Sequence, residues 1–261
     1  MRWLIGCLLY AMTSVAWSDW KPPERPDPSV ILNEAEADKE ARRYADALAK
    51  HLWFHENALT YERGLYGVRL SFAHSAWVEL GKQYPPALQA LKEVRDKADH
   101  RIRENKAKRG DFHDFSAINE VLGEEKLTAD LFVWLDQNNA ALARSSYGAA
   151  QNALIHAKYY QLCGKYIDSE RSLEMILLVH RQHERMIKDS RFGADFKDYA
   201  EKSFSHSAST LVALLAVNQR IKEADEVIAA VLKEKPDPSL KEQLNAARKG
   251  VVPEPWPKHG S

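Results

Sequence analysis

Four times along this chain an apolar helical stretch reaches a short polar turn, then an aromatic or aliphatic residue, and then a second helix. The turns are Gly81 to Ala87, Gly123 to Leu127, Cys163 to Tyr166 and Asn218 to Ala224. A helix pair of this kind cannot bury its own apolar face, so successive pairs must stack on one another. The punctuation predicts an all-α fold, a right-handed α-solenoid of antiparallel helix pairs built from long helices. No strand or hairpin signal competes with it.

The apolar spacing predicts a first long helix over residues 33–59 and a second over 65–82, the latter carrying Leu70, Ala73, Trp77 and Leu80 on one face. Pro85 and Pro86 open the next, which the basic run ending at Gly110 closes. Three further pairs follow at 114–123 with 125–143, 147–163 with 167–189, and 194–219 with 221–235. Asp237 and Pro238 start a final short helix as cap and first helical residue. Trp53, Trp77 and Trp134 fall at apolar helical positions and are expected as core anchors.

The ends of the chain differ from this body. Arg2, the uncharged stretch 3–16 and Ala16-Trp17-Ser18 have the layout of a signal peptide over residues 1–18, with the mature chain starting at Asp19. An uncleaved anchor, or a lipidated Cys7 in Leu4-Ile5-Gly6-Cys7, are the alternatives. Residues 19–32 read as a proline-rich tether, 33–249 as one helical domain and 250–261 as a disordered, proline-rich tail. The expected location is therefore outside the cytoplasm, periplasmic or extracellular. No later stretch has the apolar length of a membrane span.

The 37 basic and 37 acidic residues balance, and losing Arg2 with the signal segment leaves 36 against 37. Such a chain has no long-range attraction for nucleic acid or anionic lipid. Loss of Cys7 leaves Cys163 alone, so no internal disulfide is available and stability rests on the core.

Trp77, Leu80, Gly81 and Tyr84 stand at the spacing that opens a tetratricopeptide repeat, and this segment resembles that family. Ala157, Tyr160, Gly164 and Tyr166 are similar to the same repeat in another register, and Ala224, Ile228, Val231 and Pro236 to its back end. The likeness covers roughly residues 65–236, but the turn residues Tyr84, Leu127, Tyr166 and Ile221 lie 43, 39 and 55 apart. The family period is about 34 residues, so longer helices or inserted turns must absorb the difference. The chain also resembles secreted bacterial proteins with such folds, through segments such as Trp53 to Ala58 and Tyr66 to Phe72; that implies a fold and a compartment.

Titratable groups give no catalytic constellation. His51 and His55 lie four apart beside Glu56, but the second histidine of a His-Glu-x-x-His pattern is missing. His180 and His183 near Glu184 lack a third ligand, and Cys163 has no partner histidine in view. No catalytic, metal or cofactor site is predicted, and packed or solvated histidines are the simpler reading.

Solenoids take partners on the face lined by the first helix of each pair. Carried over from the repeat family, the groove-facing positions are Arg69, Phe72, Glu79, Phe115 and Asn119, then Gln151, Lys158, Gln161, His206 and Ser209. Their mixture of amides, charges and rings suits an extended polypeptide. The expected function is an exported, non-enzymatic scaffold or adaptor for a peptide segment or partner protein. The alternatives are an extracytoplasmic all-helical enzyme acting on glycan or peptide, and an immunity or inhibitor protein.

Overall fold

A computed structural model of the protein describes residues 18–189 and 193–256. The expected signal peptide thus lies, apart from Ser18, outside the described residues, as do residues 257–261 of the expected tail. The described residues form thirteen α-helices and a short 3-10 turn, with no strand. The all-α expectation holds. They fall into two compact units, one ending at Leu122 and the other starting at Gly123, where one domain was expected.

The first unit contains α1 (Pro28–Glu40), α2 (Tyr44–Tyr61), a 3-10 turn at Arg63–Leu65, α3 (Tyr66–Leu70), α4 (Phe72–Gln83), α5 (Pro85–Arg103) and α6 (Asp111–Leu122). Asp27 caps α1 by accepting from the N–H groups of Ser29 and Val30 at 2.9 and 3.2 Å, with Pro28 in the first turn. The expected tether is therefore helical from Pro28 onward, and its Trp20 packs edge-on against Trp53 at 6.5 Å. Trp77, Leu80, Ala87, Leu91 and Ile118 form a buried cluster from α4, α5 and α6. Trp77 also donates its indole N–H to Ala87 O at 2.8 Å, so the ring is both packed and satisfied. Trp53, by contrast, is half-buried.

The second unit contains α7 (Glu125–Asn138), α8 (Ala140–His156), α9 (Tyr160–Tyr166), α10 (Ser169–Ile187), α11 (Ala194–Val217), α12 (Ile221–Glu234) and α13 (Pro238–Arg248). Residues 208–215 of α11 are buried on every side, as expected of a helix with neighbours all round; α9, α10, α12 and α13 all touch it. Phe132, Tyr147 and Tyr166 form an aromatic trio, with ring centroids 5.2 to 6.2 Å apart. Trp134 is half-buried here rather than a core residue.

Several helices end sooner than their apolar pattern. The expected helix over 33–59 breaks at Arg42, the one over 147–163 at Lys158 and the one over 125–143 at Asn139. Arg42, Asn105, Lys158 and Gln219 all have φ between 58° and 62°. Each follows a helix with the same closing pair of bonds: Lys158 N–H to Ile155 O at 2.9 Å and Tyr159 N–H to Leu154 O at 2.8 Å after α8, for instance. This is the Schellman arrangement, in which a left-handed residue turns the chain and satisfies the last carbonyls. Gly250 (φ 89°) closes α13 in the same way.

Non-glycine residues pay steric strain in that conformation. Lys158→Gly is therefore expected to raise stability by about 0.5–1 kcal/mol, read as a higher urea midpoint. Gly250→Ala should lower it. An unchanged or lower midpoint for Lys158→Gly would contradict the left-handed turn at that position.

Candidate functional site

The second unit carries a groove of about 450 Å³ between α11, α13 and the segment that follows α13. Lys202, Ser205, His206 and Ser209 line it from α11 at offsets that place them on one helix face. Gln243 and Ala246 face it from α13, and Val251, Pro253 and Trp256 close it from the terminal segment.

Local chemistry fixes each wall. Asp237 accepts from Leu240 N–H at 2.7 Å and Pro238 occupies the first turn, which starts α13. Leu240, Leu244 and Ala247 are then buried along its inner side. Gly250 reverses the chain, and a Cβ there would stand 3.4 Å from Val217 Cγ1 besides meeting an unfavourable φ. The returning segment brings the Trp256 indole to 5.2 Å from the Tyr199 ring and 6.1 Å from His206. Phe196 stacks beside Tyr199, and His183 meets both rings edge-on.

Among the described residues the groove carries a single formal charge. Burial holds His206 below its ordinary value of 6.5, so the imidazole is uncharged at neutral pH. Among the described residues Lys202 is the one formally charged residue of the lining, and its ammonium pairs with Asp198 at 2.7 Å on the exposed surface. Ser205 donates to Lys202 O at 3.2 Å, whereas the Ser209 hydroxyl is buried with no hydrogen-bond partner among the described residues. Apolar walls beside neutral donors and acceptors can hold an uncharged group and fix its orientation.

Of the ten groove positions expected from the repeat register, His206 and Ser209 come together here. Gln151 is half-buried, and Lys158 and Gln161 are exposed elsewhere in this unit, Lys158 at the left-handed turn. In the first unit, Phe72 is 76% exposed and Glu79 is exposed in a pair with Lys82. Arg69, Phe115 and Asn119 are buried instead of surface-facing. Arg69 spans from α3 to α6, where its Nη2 donates to Asp114 Oδ2 at 2.8 Å, and its Nε donates to His55 O at 2.7 Å. Arg95 Nη1 lies 3.4 Å from Asn119 Oδ1. Phe115 and Asn119 serve packing because α6 is enclosed on most of its circumference, and Arg69 is buried by reaching from α3 onto Asp114 of that helix.

Sequence reasoning missed Lys202, Ser205, Gln243, Ala246, Val251, Pro253 and Trp256. The segment after Gly250, expected as disordered, instead lies against α11 through Trp256. A signal was present: a helix-stopping glycine followed by prolines and a lone large aromatic side chain.

A second polar cluster sits in the first unit. His51 stacks on Trp77 at 5.6 Å, His55 meets His74 at 5.5 Å, and His55 Nε2 lies 3.2 Å from Arg69 Nη2. Among the described residues no group of three or more histidine, cysteine or acidic side chains is arranged to hold a metal ion. Comparisons with family models, with curated proteins and with solved structures find no match to the chain.

Burial lowers the three imidazoles from 6.5, to about 4 for His51 and about 3 for His55 and His74, with nearby Arg69 and other cations adding to the effect for His55. The unfolded chain thus binds these protons first. Stability is full above pH 6.5 and falls as the pH drops toward 4 and below. At pH 5 each imidazole should remove about 2 kcal/mol relative to neutral pH. His51→Phe keeps a ring against Trp77 and should shrink the loss between pH 7.5 and 5 by about that amount in urea unfolding. An identical pH dependence in the variant would contradict the neutral buried imidazole.

Proposed function

We propose that this chain is an exported, non-enzymatic interaction protein, a tetratricopeptide-like α-solenoid that holds a polypeptide segment, with the α11–α13 groove as its anchoring site. The observation that carries this reading is the groove itself: a largely apolar cleft with a few polar groups and one ammonium, Lys202, which suits a side chain and adjoining backbone. The repeat reading is supported by Gly81, where a Cβ would stand 2.9 Å from Leu88 Cβ, so that α4 and α5 can approach closely only with glycine there. Gly164 has the same role against Asn218, whose amide donates to Tyr160 O at 2.8 Å. Export rests on Arg2, the uncharged segment after it and Ala16-Trp17-Ser18. Burial pushes the Cys163 thiol up to about 11, which leaves it protonated and a weak nucleophile at neutral pH.

The test is to pass synthetic peptides of varied composition over the immobilised mature chain, then elute the retained ones and weigh them. The expected outcome is retention of a subset, released with unchanged mass. Cleaved or modified peptides would contradict the non-enzymatic reading, and failure to retain any peptide would contradict polypeptide binding altogether.

A further inference from the structure

We infer that the α11–α13 groove is shaped for an extended, proline-flanked segment presenting an uncharged aromatic side chain, and that Pro253–Trp256 lies on this surface as an internal copy of that ligand. The inference rests on the binding reading above and names the partner's chemistry.

The chain displays the interaction itself. After Gly250 the backbone leaves helical geometry, and Val252, Pro253, Pro255 and Trp256 are half-buried while Val251 and Glu254 face solvent. Two prolines in four residues restrict the segment to extended conformations and remove two N–H groups that would otherwise need partners. Such a segment loses little entropy on docking, which is why proline-rich peptides suit aromatic-lined grooves. Trp256 supplies the anchor, resting on Tyr199 and His206.

Charge favours the same occupant. His206 is held neutral by burial, and the Lys202–Asp198 pair stands at the exposed rim, so a side chain seated against His206 meets no counter-charge there. Val251, Pro253 and Trp256 form one wall of the groove, so a partner in trans reaches α11 and α13 by displacing this segment rather than by filling the space beside it. A partner in trans that places an aromatic ring against Tyr199 and His206 takes over the contacts Trp256 makes there. The internal copy then acts as a tethered competitor, lowering the apparent affinity by the fraction of time it occupies the surface.

The probe is a fluorescein-labelled peptide, Val-Pro-Glu-Pro-Trp with both ends blocked, read by anisotropy against the full chain. If the segment holds the surface nine-tenths of the time, Trp256→Ala should bind the probe at least about tenfold more tightly than the unaltered chain. A probe with Ala in place of Trp should bind neither. Ala246→Trp, and independently Ser205→Trp from the opposite wall, should abolish binding while helix content by circular dichroism stays unchanged. Equal or weaker binding by Trp256→Ala would overturn the internal-copy assignment, as would binding that survives both filling variants. Retention of other peptides, undiminished by those variants, would overturn the inference while leaving the polypeptide-binding reading intact. Absence of any peptide binding in every variant would remove that reading too. A concentration-dependent dimer in sedimentation that disappears with Trp256→Ala would assign the surface to a second copy of the chain and overturn the partner in trans.

Discussion

An all-helical chain can bury its helices only if each one ends where the next must turn back, and here that reversal is made by one hydrogen-bonded motif used repeatedly. Helices α1, α5, α8, α11 and α13 all finish with a left-handed residue whose two following bonds close onto the last carbonyls. The motif satisfies groups that would otherwise be orphaned at the helix end and fixes the direction in which the chain leaves. Four of the five positions are held by Arg42, Asn105, Lys158 and Gln219, side chains that accept strain there. The packing they permit, with α11 enclosed and Trp77 buried, must outweigh it.

The same device builds the groove. Gly250 is the glycine among the five, and its turn returns the chain past Val217 so that Trp256 reaches Tyr199 and His206. The first unit meets a different demand, since its core contains polar groups. Arg69 and Asp114 satisfy one another, but both nitrogens of His51 are buried without hydrogen-bond partners among the described residues. Unpaired imidazoles tolerate burial only when neutral, which ties the stability of this unit to pH.

Much of the helix content was legible because apolar periodicity and proline or aspartate starts are local signals. The ranges of α11 and α12, and the start of α13 at Asp237 and Pro238, follow from them directly. The breaks after α1 and α8 were not legible, since Arg42 and Lys158 occupy a position where glycine would have announced the turn. The division after Leu122 was hidden as well: it falls inside what looked like one helix pair, and α6 packs Ile118 against Trp77 and Leu80 in the first unit. His206 and Ser209, expected from the repeat register, line the groove of α11, although Ser209 is itself buried. Arg69, Phe115 and Asn119 came from the same register, yet the side chains around them enclose them. Trp256 was missed because prolines argue against secondary structure, and an extended segment can still pack.

The account depends most on the seating of Trp256, because that contact joins the Gly250 turn to the groove. The direct measurement is the indole signal of Trp256 in a two-dimensional NMR spectrum, assigned by its loss in Trp256→Phe. Cross-relaxation between this indole and the Tyr199 ring is predicted, together with a shift away from the value of an unstructured tryptophan. A sharp signal at the unstructured position, with no cross-relaxation to Tyr199, would contradict the account.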